Sequence, residues 1–233
     1  MATPTSDSSA AAAKTRGLDD RALPLRERKK QRTFRALADV ALARFTERGF
    51  DEVTLDEIVD EVEISKRTFF RYYSSKESVA LAAEAELWIA YVDTFTATDL
   101  HGDVLTALRA ALTTAITGMD DDWPRRFLAT RRLVAGHNGL RKHSLVMAAY
   151  HQEQIVEQLE AKLGRDGRDG REDVRLRLLG EIAFGAYRVG AKNWTAGRGK
   201  GAGSRGKGGR ATLAARVSEA FDAVPNAIAL TAD

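Results

Sequence analysis

The sequence predicts an all-α protein of about nine helices, and three observations lead to this fold class. Apolar residues recur three and four positions apart along most of the 233 residues, which is the spacing of a buried helical face. No segment alternates apolar and polar residues as a half-buried strand would. Breaks that contain glycine, at 118–122, 136–139 and 164–170, separate one helical run from the next.

Composition and charge limit the classes of protein to consider. The chain has no cysteine, which excludes disulfides and thiolate metal sites. It has no apolar run near the roughly eighteen residues of a membrane span, so we expect a cytoplasmic protein with no membrane partner. The net charge is +3, but residues 26–35 hold six basic groups and one acidic group, whereas residues 51–63 hold seven acidic groups and no basic one. This segregation predicts a local basic surface for a polyanion.

The first predicted helix continues from the basic stretch and ends at Gly49. Its apolar positions form one stripe: Phe34, Leu37, Ala38, Ala41, Leu42 and Phe45. Cations at the start of a helix oppose its dipole, at a cost on the order of a few tenths of a kcal/mol when they have no partner. A solvated helix start is one interpretation. Contact with phosphate groups, which would offset this cost, is the interpretation we favour.

Two short helices joined by a tight turn follow at residues 54–72. The first begins with a capping box of Thr54 and Glu57, which satisfies two backbone donors at the helix start. Ser65 is placed to cap the second. From Ser65 to Lys76 the chain offers hydroxyls, aromatic rings and four cations, with no acidic residue: Lys66, Arg67, Arg71 and Lys76. A short cationic helix mounted on a capped apolar helix is what insertion into the DNA major groove requires, so this segment predicts a helix-turn-helix.

Residues 31–77 resemble the N-terminal DNA-binding domain of the TetR/AcrR family of bacterial transcriptional regulators. The matching pieces stand in order at fixed spacing: Thr33, Leu37, Val40, Ala41, Phe45, Arg48, Gly49, Phe50, Thr54, Ile58, Ile64, Ser65, Lys66, Thr68, Phe70, Arg71, Tyr72, Tyr73, Ser75, Lys76 and Glu77. The resemblance implies a cytoplasmic homodimer that binds double-stranded operator DNA and responds to a small-molecule effector. It implies no enzyme activity and no cofactor.

The resemblance and the charge pattern together predict the residues that contact DNA: Lys30, Arg32, Thr33, Thr54, Ser65, Lys66, Arg67, Thr68, Phe70, Tyr72 and Lys76. The chain also departs from the family pattern. Glu63 stands where the turn usually has glycine, at a cost of roughly 1 kcal/mol if that position is left-handed. Arg67 replaces a small residue and adds a reader of base edges or phosphates. Phe70 lacks the hydroxyl of the usual phosphate-binding tyrosine, a contact that Tyr72 takes over, and the Tyr73 hydroxyl must find a partner or reach solvent.

After the helix-turn-helix we expect a long helix from Ser75 to Thr98, capped by Ser74 with Glu77. Five more helices are predicted over 103–118, 124–135, 143–164, 172–195 and 211–224. The predicted domains are a disordered tail at 1–24, the DNA-binding domain at 25–74, and an effector-binding and dimerisation domain at 75–228. Within the last domain, 197–210 is predicted to be a flexible loop rich in glycine and basic residues. It contains a nominal GxGxxG fingerprint, but no strand precedes it, so we predict no dinucleotide.

Aromatic and polar residues of the C-terminal helices are candidates to line an effector cavity, although large rings fill plain cores more often. The four histidines lack metal-ligand spacing, so no metal is expected. Arg131 would suit an anionic effector, and a faint similarity of residues 131–133 and 139–141 to actinobacterial family members implies an acyl-CoA-like one. The candidates are Trp88, Tyr91, Phe95, Trp123, Phe127, Arg131, Met147, Tyr150, His151 and Phe184.

We expect the homodimer interface to be a four-helix bundle. Each subunit would contribute its eighth and ninth helices, predicted over 172–195 and 211–224. The first of them carries an apolar stripe with small members: Val174, Leu178, Ile182, Gly185, Ala186 and Val189. We therefore favour a ligand-responsive dimeric repressor that binds a palindromic operator and is released by an effector. The alternative is an architectural, non-specific DNA-binding protein without an effector. An enzyme ranks third, because the sequence has no usable catalytic constellation.

Overall fold

The computed structural model describes residues 24–164, 173–197 and 208–231. All regular elements in these ranges are helices, which confirms the all-α fold class. In chain order they are α1 (Leu25–Arg48), α2 (Leu55–Glu61), α3 (Lys66–Tyr72), α4 (Lys76–Ala80), α5 (Ala82–Ala97), α6 (Val104–Thr117), α7 (Trp123–Gly136), α8 (Asn138–Lys162), α9 (Val174–Ala196), α10 (Gly209–Asp222) and α11 (Val224–Ile228). The predicted tail, as far as residue 23, and residues 198–207 of the predicted loop lie outside the described residues.

The described residues divide into two compact units. The first contains residues 24–89 and 125–146, and the second contains residues 90–124, 147–164, 173–197 and 208–231. The helix-turn-helix belongs wholly to the first unit. The domain boundaries predicted from the sequence stay predictions. Among the described helices, none combines the length and the apolar character that crossing a membrane requires.

The core of the first unit is built on the predicted stripe of α1, in which Leu37, Ala41 and Phe45 are fully buried. Tyr73, just after α3, stacks on Phe34 of α1 with ring centroids 4.6 Å apart. Its hydroxyl donates to the backbone carbonyl of Phe34 at 3.1 Å. The buried Tyr73 hydroxyl therefore has the partner that the sequence required it to find.

Both predicted caps of the helix-turn-helix are present. The Thr54 backbone N–H donates to the Glu57 carboxylate at 2.9 Å, and the Glu57 N–H donates to the Thr54 hydroxyl at 3.3 Å. The first of these bonds, together with the hydrogen bond that Arg48 donates to the same carboxylate, lowers the pKa of Glu57. At the start of α3 the Thr68 N–H donates to the Ser65 hydroxyl at 3.1 Å. Local side-chain chemistry therefore defines where both short helices begin.

The turn between α2 and α3 places Glu63 in the left-handed region, with φ at +55°. Within the described residues it is the one non-glycine residue with positive φ. A Cβ atom is strained in this conformation, at a cost of about 1 kcal/mol. The departure from glycine that the sequence shows at this position is therefore a real source of strain in the turn.

Replacing Glu63 with Gly should stabilise the protein by about 1 kcal/mol, because glycine adopts positive φ without strain. The measurement is the free energy of unfolding in urea. Glu63→Gln is the matched control, since it removes the charge but keeps the Cβ and should leave the strain in place. Equal stabilisation by Gln and Gly would attribute the effect to charge and contradict the backbone explanation.

The long helix predicted from Ser75 to Thr98 is wrong as a single helix. It is interrupted at Leu81, where ψ is 9°, and so divides into α4 and α5. Residues 79–83, around the interruption, are all buried, whereas a surface helix buries only one face. The predicted cap is also wrong. Ser75 is the N-cap, and Ser78 rather than Glu77 completes the box, with both bonds at 3.1 Å.

The helix predicted over 143–164 begins five residues earlier, at Asn138. Its cap is His137, whose Nδ1 accepts the Leu140 backbone N–H at 3.0 Å. Because Nδ1 is an acceptor, Nε2 carries the ring proton and donates to Asp51 Oδ1 at 3.0 Å. The ring also packs on Phe50, with centroids 4.8 Å apart. Histidine is not among the preferred capping residues, so no local signal in the sequence marked this start.

In the second unit α9 and α10 approach each other closely at Gly190. A Cβ atom built on Gly190 would lie 2.7 Å from the Val217 Cα and 2.8 Å from its backbone nitrogen. At the C-terminal end of α5, the Lys162 ammonium donates to the carbonyls of Thr96 at 2.9 Å and Thr98 at 2.8 Å. The small residue in α9 and this cationic cap in α8 fix how the helices of the second unit pack.

Candidate nucleic-acid interface

Helix α3 buries one side and exposes cations on the other. Phe69 is fully buried in the first unit, whereas Lys66 and Arg67 are exposed. The Lys66 ammonium lies 2.7 Å from the carboxylate of Asp56 on α2. Arg67 has neither an ion pair nor a hydrogen bond with any described residue. Arg67 is therefore the cation of α3 whose donors are available to a partner without first breaking an ion pair.

The hydroxyls predicted to contact DNA already take part in caps. The Ser65 and Thr68 hydroxyls lie 3.0 Å apart, and the Thr54 hydroxyl accepts its bond within the capping box. A hydroxyl can make further bonds beyond the one used in a cap. These side chains are held in one orientation before any partner arrives, which reduces the entropy lost on binding.

The C-terminal part of α3 presents aromatic rings next to the start of α1. Phe70 is 55% exposed, and its ring meets that of Phe69 edge-on at 5.4 Å. The Arg71 guanidinium lies 5.3 Å from the centre of the Tyr72 ring. Five predicted DNA contacts line one groove between α1 and α3: Lys30, Thr33, Thr68, Phe70 and Tyr72.

The remaining predicted contacts lie outside the lining of this groove. Lys76, at the start of α4, holds its ammonium 4.3 Å from the centre of the Phe50 ring and 5.7 Å from that of Phe45. This cation–π contact holds the ammonium beside two rings of the first unit, and the assignment of Lys76 as a DNA contact stays a prediction. Arg32 is exposed on α1. The predicted contacts lie on α1, at α2 and α3 and at the start of α4, all in the first unit.

The fold and this surface define a helix-turn-helix DNA-binding protein. Residues 37–83 match the profile of the family described as bacterial regulatory proteins, tetR family. Over these residues the chain is similar to this family of transcriptional regulators, whose members bind DNA and act as dimers. The protein is therefore a DNA-binding regulator.

Two regulators are similar to the chain well beyond the matched domain. The HTH-type transcriptional regulator TcmR of Streptomyces glaucescens is 29% identical over 181 residues, which are 73% of this chain and 76% of TcmR. MftR of Mycobacterium tuberculosis, a transcriptional regulator named for mycofactocin biosynthesis, is 28% identical over 161 residues, 69% of this chain and 80% of MftR. A solved structure assigned to the TetR-family transcriptional regulators, from Mesorhizobium loti, covers 84% of this chain and 96% of its own chain. The TM-score is 0.50 and the sequence identity is 16%, so the similarity supports the fold.

The predicted effector residues fall in both units. In the first, Trp88 and Phe127 are buried, and Arg131 is half-exposed. In the second unit His151 is buried, Met147 is half-buried and Tyr150 is exposed. Four aromatic side chains there are fully or almost fully buried: Tyr91, Phe95, Trp123 and Phe184. The assignment of these residues to an effector cavity stays a prediction.

Arg131 has a partner that the sequence did not reveal. Its Nη1 lies 3.3 Å from Oε1 of Glu84, which also accepts from the Ser144 hydroxyl at 2.9 Å. Burial raises the pKa of Glu84, against the opposing effects of Arg131 and Ser144. The only sequence signal was a pair of carboxylates, Glu84 and Glu86, within an otherwise apolar run at 79–90. Any anionic effector at Arg131 would compete with this carboxylate.

Two polar groups in the second unit differ from the apolar core around them. The Tyr91 hydroxyl is buried and makes no hydrogen bond with a described residue, and burial raises its pKa. The His151 Nδ1 lies 2.8 Å from the Met147 carbonyl, and burial lowers the pKa of this imidazole. His151 is therefore neutral at physiological pH, with Nε2 as an acceptor. An orphaned donor such as the Tyr91 hydroxyl is uncommon in a protein core.

Replacing Glu84 with Gln should change how stability depends on pH. The folded protein raises the pKa of this carboxyl above its ordinary value of 4.5, so it holds the proton more tightly than the unfolded chain does. Ionisation of Glu84 therefore lowers stability as the pH rises above that value. The stability of the variant relative to the parent, from urea unfolding at several pH values, should increase toward neutral pH. A difference that is constant or decreases contradicts the raised pKa.

Proposed function

We propose that the protein is a dimeric, ligand-responsive repressor that binds a palindromic operator through α3 and is released by a small-molecule effector. The observation that carries this proposal is the exposed, uncompensated Arg67 on a capped helix whose opposite side is anchored in the core by Phe69. Such a helix presents its N-terminal residues to base edges while its position stays fixed. The place of action would be the cytoplasm, where the operator DNA lies.

An exposed apolar stripe on α9 supports dimerisation through α9 and α10. Val174, Leu178 and Val189 are each more than half exposed, and Gly185 on the same helix would allow close approach of a second helix. Exposed apolar residues in a row mark an interaction surface. A two-fold dimer formed there would read two half-sites related by the same symmetry, about 34 Å or a multiple of it apart.

The proposed effector site lies among the buried aromatic residues of the second unit, and its chemistry favours a largely apolar ligand. Arg131 is compensated by Glu84, so an acyl-CoA-like anion would have to displace that carboxylate. The Tyr91 hydroxyl and the neutral His151 instead offer one donor and one acceptor to an uncharged polar group. An effector that prefers the dimer not bound to DNA would weaken operator binding, typically by about 1 to 3 kcal/mol.

The test is selection of bound fragments from random or genomic DNA, followed by titration of the selected duplex against competitor DNA. A repressor should yield a palindromic sequence and bind it at least about a thousandfold more tightly than competitor. An architectural protein should yield no sequence preference, and its affinity should depend on salt alike for all duplexes. Release of the selected duplex by a small molecule, with a reciprocal effect of the duplex on ligand affinity, would then establish the sensor role.

A further inference from the structure

The interruption between α4 and α5 has no cause in the residues at which it occurs. Residues 79–83 read Val-Ala-Leu-Ala-Ala and contain neither proline nor glycine. Alanine and leucine are among the strongest helix formers. Sharp breaks in a helix are almost always caused by proline, by glycine and serine, by a π-bulge or by a group inserted into the hydrogen-bond ladder. The segment by itself therefore favours a continuous helix, and its interruption requires a contact from elsewhere in the fold.

The backbone hydrogen bonds at the interruption identify that contact. In an α-helix the Ala80 carbonyl would accept the N–H of Glu84, four residues further on. The Glu84 N–H instead donates to the Leu81 carbonyl at 3.0 Å. Leu81 itself has φ at −96° and ψ at 9°, in the sparsely populated bridge region. The Ala80 carbonyl accepts the hydroxyl of Thr130 on α7 at 3.3 Å, so a side chain takes the place of one backbone donor.

Helix α7 holds the start of α5 at three points. Thr130 is almost fully buried, as is the carbonyl residue that it contacts, and a buried carbonyl without a partner is unfavourable. Arg126 donates to both carboxylate oxygens of Glu86, at 2.9 and 3.0 Å. Arg131 lies 3.3 Å from the carboxylate of Glu84. All of these residues belong to the first unit, so the interruption is stabilised within one compact body.

We propose that the junction of α4 and α5 is a two-state hinge, and that Thr130 holds it in the interrupted form. In the second form residues 76–97 are one continuous helix, and the Ala80 carbonyl accepts the Glu84 N–H. The helix preference of the segment favours the second form, whereas the contacts with α7 favour the first. Two opposing preferences of this size make the continuous helix a minor state, populated at roughly 0.1 to 10%.

The hinge gives the proposed regulator a place at which an effector and DNA can influence each other. Helix α4 packs against α1 of the DNA-binding helices, and α5 continues from residues of the first unit into residues of the second. The continuous form would be a stiff rod of about 22 residues, roughly 33 Å long, whereas the interrupted form can bend at Leu81. A ligand shifts the hinge only by its preference for one form. This regulatory role rests on the proposed operator binding.

The test measures exchange between the two forms in the full chain by NMR saturation transfer at residues 80–84. This method detects minor states on the microsecond to millisecond scale, and it gives their populations and chemical shifts. Thr130→Val is the variant, because valine has nearly the same shape and lacks the hydroxyl. Thr130→Ser restores the hydroxyl. Thr94→Val is the matched control, since the Thr94 hydroxyl donates to the Ala90 carbonyl at 2.7 Å in a regular part of α5.

The minor state should have the Cα chemical shifts of a regular helix at Leu81 and Ala82. Its population relative to the major state should rise by about twofold to tenfold in Thr130→Val, which corresponds to the loss of one hydrogen bond. Thr130→Ser and Thr94→Val should stay within about twofold of the parent. Adding the selected operator should reduce the minor population, because the unmodified protein selects a duplex that fits its major form.

Two outcomes overturn the hinge: no exchange at residues 80–84 in either the parent or Thr130→Val, and a minor state whose Cα shifts are not helical. An equal rise in Thr130→Val and Thr94→Val removes Thr130 as the residue that holds the interrupted form. If Thr130→Val does not fold, the minor-state shifts of the parent decide.

The regulatory role fails separately, when the operator leaves the minor population unchanged. Failure of the proposed function looks different again, because the unmodified protein would then select no operator. Exchange in the free protein would still report on the hinge, so the failure of either proposal can be recognised without the other.

Discussion

Replacing Gly190 with Ala should destabilise the protein by about 3 kcal/mol or more, the upper range for overpacking of a core. The added Cβ would lie 2.7 Å from the Val217 Cα and 2.9 Å from the Arg216 carbonyl carbon. Both are backbone atoms, so no side-chain rotation relieves the overlap and α9 must move away from α10. The measurement is the melting temperature, which should fall by roughly 2 to 4 °C for each kcal/mol lost.

The sign of this prediction opposes the intrinsic preference of the helix. In a helix without tertiary contacts, Ala is favoured over Gly by about 1 kcal/mol. Gly136→Ala is the control, because a Cβ at Gly136 meets no atom within 4 Å. It should leave the melting temperature nearly unchanged or raise it. A Gly190→Ala variant as stable as this control would show that α9 and α10 do not pack as closely as the structure describes.

Replacing Arg67 with Ala should weaken operator binding by about 1 to 3 kcal/mol, the range for one good contact with a base edge. The guanidinium is exposed on α3 and makes no ion pair with a described residue, so the substitution breaks nothing within the free protein. The loss should also relax the preference for one base pair of each half-site. Titration of the selected operator and of its single-base variants measures both effects.

Arg132→Ala is the control for charge, because it removes an exposed cation from α7 rather than α3. It should keep the base preference of the parent and change the affinity only slightly at moderate salt. If Arg67→Ala weakened all duplexes alike, Arg67 would be a phosphate contact and not a base reader. Unchanged affinity in Arg67→Ala would remove α3 as the recognition helix.

The interruption at Leu81 affects how an effector signal would reach α3. A continuous helix over 75–98 would act as one stiff rod, but α4 and α5 meet at a distorted residue. The first unit has a further connection between distant parts of the chain, in which His137 caps α8 and also contacts Asp51 and Phe50 just before α2. A displacement of the start of α8 would therefore act directly on the loop before α2.

Local chemistry explains why much of the DNA-binding unit was predictable from the sequence alone. Several of its features depend on residues a few positions apart or on the backbone itself. They are the Thr54–Glu57 box, the Ser65 cap, the left-handed turn at Glu63 and the need of the Tyr73 hydroxyl for a hydrogen-bond partner. Helical spacing of apolar residues likewise predicted the all-α class. These features are determined by the sequence because their energies arise within a single turn or helix.

Contacts between residues distant in the chain were decided only by the tertiary structure. The interruption at Leu81 lies in a segment where five consecutive residues are buried, and the early start of α8 follows from the orientation of His137. The pairing of Arg131 with Glu84 joins residues 47 positions apart, and it changed the expected chemistry of an effector site. The sequence shows which residues are cationic, apolar or small, but which of them meet depends on how helices pack, and helical spacing alone does not specify that packing.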